Sequence, residues 1–184
     1  MEKNVTLIAL FAALIAALGL IPPVTLGFGV PITAQTLGVM LCGTILGAKR
    51  GGLAVLLFLL LVAIGLPLLS GGRGGLGVFA GPSVGFLIGW PIAAFVIGLI
   101  VEKWRNVPLL IVAGVASVLG GIVVMYVFGI IGMSIMLDKT LIEATKIAMV
   151  YVPGDLLKAG IAGMLTSALA TARPASVLSR INAH

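Results

Sequence analysis

Pro82-Ser-Val-Gly-Phe-Leu-Ile-Gly-Trp-Pro-Ile-Ala-Ala-Phe-Val-Ile-Gly-Leu-Ile-Val101 is a run of twenty residues with no charged side chain. An α-helix needs about 20 residues to cross the hydrocarbon of a bilayer, and this run closes on a charged cap, Glu102-Lys103-Trp104-Arg105. The rest of the chain has the same character. Of its 184 residues, 61% are hydrophobic and 9% are charged, with a mean hydropathy of +1.32. A soluble domain carries about 25% charged residues and about 45–50% apolar ones. The 11 Lys and Arg and 5 Asp and Glu cannot cover a water-facing surface, which excludes an ordinary soluble enzyme and a disordered chain. The basic residues are scattered rather than striped, so the net charge of +6 does not indicate nucleic-acid binding. The remaining class is an all-α integral membrane protein.

Outward from 82–101, the chain divides into further helices. Downstream, 108–133 and 148–172 are apolar runs separated by a polar connection at 138–146, and the tail begins at Arg173. Upstream lie a glycine-dense segment at 70–81, a helix over 51–69 with Pro67 near its end, a turn at Lys49-Arg50 and a helix over 34–47. Residues 22–33 are apolar but rich in Pro and Gly and suit an ordered loop. The first run, 5–21, follows Glu2-Lys3 and invites a signal-peptide reading. It lacks a small-x-small cleavage pattern, and Ile21-Pro22-Pro23 ends it instead as a retained helix. The expectation is six transmembrane helices in a single domain over 1–184, embedded in a lipid bilayer.

Charge sets the orientation. With the N-terminus inside, Lys3, Lys49, Arg50, Lys103, Arg105, Arg173 and Arg180 fall on the cytoplasmic side, and Lys139 and Lys146 outside. This follows the positive-inside rule and places both termini in the cytoplasm. Cys42 is the only cysteine and His184 the only histidine, so neither a disulfide nor a Cys/His metal site is expected, and no cofactor is implied.

Asp155 and Lys158 are the leading candidates for chemistry. Spaced i and i+3, they share a helix face inside Met149-Val-Tyr-Val-Pro-Gly-Asp-Leu-Leu-Lys-Ala-Gly160. Charges at such depth are costly and face a cavity or a partner. One reading is a structural ion pair; the other is a polar ligand site for a molecule that offers N–H donors together with an anionic group. Pro153-Gly154 puts a local break just before the pair. Arg73, in Gly71-Gly-Arg-Gly-Gly-Leu-Gly77, is the second candidate, presented by a tight outer loop to a carboxylate. The literal G-x-G-x-x-G match at 72–77 follows a membrane helix and lacks the required acidic residue, so it is no dinucleotide site. Small residues recur every four positions at Gly77, Gly81, Gly85 and Gly89, at Gly43, Gly47 and Gly51, and at Ala9, Ala13 and Ala17 with Ala12 and Ala16 alongside. Such stripes let helices approach closely in lipid, and helix one is the candidate for an intermolecular face. Ser83 has no histidine base within reach of the fold, and no P-loop is present, so the chain is expected to be no enzyme.

Taken together, these segments resemble the BioY family, the biotin-binding S-components of energy-coupling factor (ECF) transporters. The resemblance rests on Val30-Pro-Ile-Thr-Ala-Gln-Thr36, Gly47-Ala-Lys-Arg-Gly51, Gly65-Leu-Pro67 leading into Gly71-Gly-Arg-Gly-Gly75, Gly81-Pro-Ser-Val-Gly-Phe-Leu87 and Tyr151-Val-Pro-Gly-Asp-Leu-Leu-Lys158. Ser83, Val84 and Phe86 depart from the family's commoner Thr, Gly and Tyr. The resemblance implies an S-component fold with an outward-facing pocket, lidded by the loop after helix one. It implies docking through Ala9, Ala13 and Ala17, or Ala12 and Ala16, on a transmembrane coupling subunit that works with two ATPase subunits. For biotin, the expectation is that Asp155 accepts from a ureido N–H with Gln35 as helper, that Lys158 or Arg73 meets the carboxylate, and that Phe79 and Tyr151 pack the apolar parts.

Two rival readings are an S-component for another vitamin and a structural membrane protein that transports nothing. Flavin and thiamine stack on aromatics, which make up only 6% of the chain. The Asp155–Lys158 pair and the Arg73 loop count against a purely structural role. A channel would need a polar path, and the cytoplasmic halves of the helices carry almost no ionisable residues.

Overall fold

The computed structural model describes residues 2–25, 27 and 29–181; His184 lies outside them. Six helical rods dominate: α1 (Glu2–Leu18), α2 (Gln35–Leu46), α3 (Ala48–Ala63), α4 (Val84–Lys103), α5 (Leu109–Met136) and α6 (Leu141–Ala172), with a short α7 (Leu178–Ile181) at the end. Three of them, α4, α5 and α6, are long and apolar enough to cross a membrane. The chain is a multi-pass membrane protein, mostly helical, rather than a water-soluble domain.

The helix limits depart from the sequence expectation where local chemistry overrides hydropathy. α1 ends at Leu18, not at residue 21, and Gly19, where a Cβ would stand 2.5 Å from the Leu68 carbonyl oxygen, lets the chain at Leu68 pass close against it. Within 22–33, expected as an ordered loop, two short strands pair antiparallel, β1 (Val24–Thr25) on β2 (Pro31–Ile32), with Val24 opposite Ile32. α3 ends at Ala63, six residues before the expected limit of 69. Beyond it the chain turns back on itself, and Leu69 bridges to Arg73 through a tight turn. That turn is possible because Gly71 and Gly72 both hold φ near +75°, at +80° and +70°. α6 begins at Leu141 rather than 148, so the segment expected as the polar connection is helical. Thr140 and Glu143 supply the reason, a reciprocal capping box that satisfies two N-terminal amides. Ala144 and Ala148 then face the core and give this amphipathic turn something to pack on. α5 runs three residues past the expected 133, to Met136.

α2 is the central rod. From Gly38 to Ala48 the chain is buried without interruption, packed among α1, α4, α5 and α6. Its last turn, Cys42–Leu46, is π-helical, as is Leu119–Val124 in the middle of α5. Such wide turns re-register the residues that follow them; in α5 those are Met125 and Tyr126. The glycine stripes serve internal packing only in part. Gly43 meets the Ala94 carbonyl and Ile97, and Gly85 meets the Phe128 carbonyl and Gly132, whereas Gly77 and Gly81 have nothing within 4 Å and lie before α4 begins. In α1, Ala12 is buried while Ala9, Ala13 and Ala17 are exposed.

Candidate ligand site

A cavity lies among the N-terminal halves of α2, α4 and α6, walled by β2 and by the Leu69–Arg73 turn. Its lining includes Gln35 and Thr36 from α2, Phe86 and Trp90 from α4, Met125 from α5, and Tyr151, Asp155 and Lys158 from α6, with Arg73 at its edge. Five of the six residues expected from sequence to meet the ligand therefore share one cavity: Asp155, Lys158, Arg73, Gln35 and Tyr151. The sixth, Phe79, does not line it. It sits in a 3-10 turn, Leu76–Ala80, and packs on the core from outside. The aromatic wall is Phe86 instead, edge-on to Tyr126 at 5.6 Å and to Tyr151 at 6.4 Å between ring centroids.

The polar centre is built on Asp155, which is 5% exposed. The break expected at Pro153-Gly154 lies earlier, in a 3-10 turn at Met149–Tyr151; Pro153 and Gly154 are themselves in the first turn of the α-helix that follows. The Lys158 ammonium donates to Asp155 Oδ1 at 2.9 Å and to Thr36 Oγ1 at 2.9 Å, and the Thr36 hydroxyl donates to the same Oδ1 at 3.1 Å. The Tyr126 hydroxyl donates to Asp155 Oδ2 at 2.7 Å. A carboxylate has about four acceptor positions and an ammonium three donors. Oδ1 is thus filled, Oδ2 retains room for one donor, and Lys158 retains one N–H. The pair is both structural and poised: it ties α2, α5 and α6 together, and it offers one acceptor beside one donor to whatever enters. Thr36 and Tyr126 were not singled out from the sequence. The signal for Tyr126 was present, one of two hydroxyls in the apolar run 108–133 beside Ser117, but the π turn in α5 precedes it and sets the register that brings it onto Asp155.

Gln35 behaves differently from the expectation that it helps bind the ligand. Fully buried, it donates through Nε2 to the carbonyls of Ile15 and Leu68, both at 3.0 Å, and its Oε1 accepts from the Ser70 amide at 2.9 Å. It touches the cavity, but its amide is used to clamp α1, α2 and the Arg73 turn. Tyr151 likewise spends its hydroxyl on the Val30 carbonyl at 3.0 Å and presents only its ring to the cavity. Arg73 donates its Nε–H to the Ser70 carbonyl at 3.2 Å. Partial burial lowers its guanidinium from the ordinary range, yet arginine stays charged at neutral pH.

A model of the BioY family matches residues 2–175. The chain is 54% identical over 189 aligned residues to a biotin transporter BioY from Rhodobacter capsulatus, covering 98% of this chain and 100% of that protein. It is 49% identical to a biotin transporter BioY from Rhizobium etli, over 94% of this chain and 95% of that one. Among solved structures, the crystal structure of the S-component for biotin from an ECF-type ABC transporter matches with a TM-score of 0.87 at 34% identity, over 92% of both chains. With a family match over nearly the whole length and close relatives that align end to end, the chain belongs to the BioY family.

Proposed function

We propose that this chain binds biotin with high affinity and carries it across the cytoplasmic membrane as the substrate-specific subunit of an ECF transporter. The observation that carries this reading is the Asp155–Lys158 pair, with one acceptor position and one donor unspent inside a mostly apolar cavity. Biotin's ureido ring supplies an N–H for Asp155 Oδ2 and a carbonyl for the third Lys158 proton. Its thiophane ring and valeryl chain suit Phe86, Tyr151 and Met125. Its carboxylate goes to Arg73, because Lys158 is already committed to Asp155 and Thr36 while Arg73 gives up only its Nε–H. Ligand pockets are mostly apolar with a few placed polar groups, as here.

The free cavity holds about 50 Å³, room for a few waters and far below the roughly 300–1,000 Å³ of an open ligand pocket. A bicyclic ligand therefore enters only if a wall moves. The β1–β2 hairpin is that wall: it is held to α6 by the single Tyr151–Val30 bond among those described and acts as the lid.

In this reading α1 to α6 all cross the bilayer and both termini are cytoplasmic. The first turn of α1, the first turn of α3, where Lys49-Arg50 is helical rather than the expected turn, and the end of α4 gather around one groove. α7 docks at the same end, where Ser179 Oγ donates to the Thr44 carbonyl and Arg105 to the Arg180 carbonyl. α2 is only about 18 Å long at 1.5 Å per residue, so the hairpin and residues 33–34 complete its crossing. Irregular backbone is tolerated at that depth because it lines a protein-enclosed site. The exposed stripe Ala9, Ala13 and Ala17 supports docking on a coupling subunit served by two ATPase subunits; Ala12 faces the core and is not available.

Calorimetry on the detergent-purified protein tests the reading. Biotin is expected to bind one per chain and riboflavin or thiamine not at all; a folded protein that ignores biotin sinks it. Arg73→Ala is expected to weaken biotin about ten- to a hundredfold, the loss of one charge-assisted hydrogen bond, and to leave the affinity for biotin amide unchanged. Equal losses for both ligands would remove Arg73 from the carboxylate.

A further inference from the structure

Four buried side-chain nitrogen or oxygen atoms lack a hydrogen-bond partner among the described residues: Trp90 Nε1, Ser117 Oγ, and Nε and Nη2 of Arg180. Only Trp90 lines the cavity. Its side chain is 5% exposed, stacked obliquely on Phe58 with ring centroids 6.1 Å apart. An indole N–H is a donor only, and when buried it ordinarily finds an acceptor. Nothing in the surrounding wall supplies one, so the acceptor must come from the contents of the cavity.

The helices say at what depth. Ser83, Phe86, Leu87 and Trp90 are the α4 side of the lining, spaced i, i+3, i+4 and i+7 along one face, with Trp90 innermost. Tyr151, Asp155 and Lys158 are the α6 side, with Lys158 innermost. α2 ties the two together in depth, with Gly43 against Ala94 and Ile97 of α4 and Thr44 bonded to Thr166 of α6, so Trp90 and Lys158, respectively four and eight residues earlier, mark the same inner end. A ligand group there faces one unspent acceptor position on Asp155, one unspent N–H on Lys158 and the unpaired indole N–H.

We infer that Trp90 donates its indole N–H to the carbonyl oxygen of the ligand's cyclic urea. This rests on the biotin reading above. The carbonyl oxygen has two lone pairs; Lys158 takes one and Trp90 the other, while a flanking ureido N–H goes to Asp155 Oδ2. Trp90 then makes the site a reader of the urea carbonyl, beyond the packing that any aromatic in its place would provide.

The test is Trp90→Phe, which keeps an aromatic ring and removes the N–H, measured by calorimetry with biotin, desthiobiotin and 2-thiobiotin. Desthiobiotin keeps the urea and lacks the ring sulfur; 2-thiobiotin replaces the carbonyl oxygen with sulfur, a poor acceptor. Expected losses are about tenfold for biotin and desthiobiotin, the worth of one buried hydrogen bond, and less than threefold for 2-thiobiotin. Equal losses for all three ligands mean that Trp90 only packs. A loss that disappears with desthiobiotin assigns the N–H to the ring sulfur. No loss with biotin means that the N–H is not used. Each of these three overturns the inference. If Trp90→Phe folds poorly, benzothienylalanine at position 90 keeps the indole's shape without the N–H, and the same pattern is expected. Failure of the unaltered protein to bind biotin is a separate result, and it removes the biotin reading itself.

Discussion

Asp155→Ala is expected to abolish high-affinity biotin binding. A hydrogen bond to a charged group contributes about 1.5–3 kcal/mol, or roughly ten- to a hundredfold in Kd. The full loss exceeds that, because the carboxylate also holds Lys158, Thr36 and Tyr126 in place. Without it the largely buried Lys158 ammonium loses its counter-ion and keeps only Thr36, and breaking one partner of a buried ion pair costs up to about 3–5 kcal/mol of stability. The variant therefore risks failing to fold, and a second construction separates the two effects. Asp155→Leu combined with Lys158→Met removes both charges at similar volume, a replacement that is often neutral or stabilising. The double variant is expected to melt above Asp155→Ala and still not bind biotin. Asp155→Asn keeps the shape but turns one oxygen into a donor facing donors, and a loss of at least about tenfold follows from the same charge-assisted bond. If the stable double variant bound biotin within threefold of the unaltered chain, the cavity would not be the biotin site.

Hydropathy made the six rods and Asp155, Lys158 and Arg73 legible before any coordinates, for a simple reason. An ionisable group costs so much at membrane depth that its position alone marks a site, and Gly71-Gly72 beside Arg73 already says that the chain turns tightly there. What stayed hidden were features that depend on neighbours distant in sequence. Phe79 and Phe86 are equivalent as letters; only the start of α4 at Val84 puts Phe86 on the cavity face and leaves Phe79 in the turn before it. Thr140 and Glu143 carried the capping signature that moves the start of α6 to Leu141, yet the polarity of 138–146 reads more strongly as a loop than the cap reads as a helix. Gln35 was visible as a polar residue in an apolar segment, but its role could not be read. A buried amide is equally suited to a ligand or to backbone, and the Ile15 and Leu68 carbonyls lie 20 and 33 positions away.

Gln35→Met gives the second large effect, and it is one of architecture. The methionine matches the glutamine in length and removes its amide, leaving the Leu68 carbonyl and the Ser70 amide without their partner at a point where α1, α2 and the Arg73 turn converge; the Ile15 carbonyl keeps the Gly19 amide. Gly19 permits the approach, since a Cβ there would stand 2.8 Å from Gln35 Nε2. An unsatisfied buried group costs about 1–3 kcal/mol. With two such groups, a total of about 2–6 kcal/mol is expected, or a fall of about 4–24 °C in melting temperature at roughly 2–4 °C per kcal/mol for a chain of this size. Gln35→Glu is no rescue: it still accepts from Ser70 but turns carboxylate oxygen toward two carbonyls. Well below its melting point, Gln35→Met is expected to bind biotin more weakly only through the loosened Arg73 turn. Its loss should therefore not add to that of Arg73→Ala, and biotin amide should bind it as it binds the unaltered chain. A Gln35→Met protein that melts normally yet loses biotin and biotin amide alike would show the opposite arrangement, in which the amide serves the ligand and the clamp on Ile15, Leu68 and Ser70 is incidental.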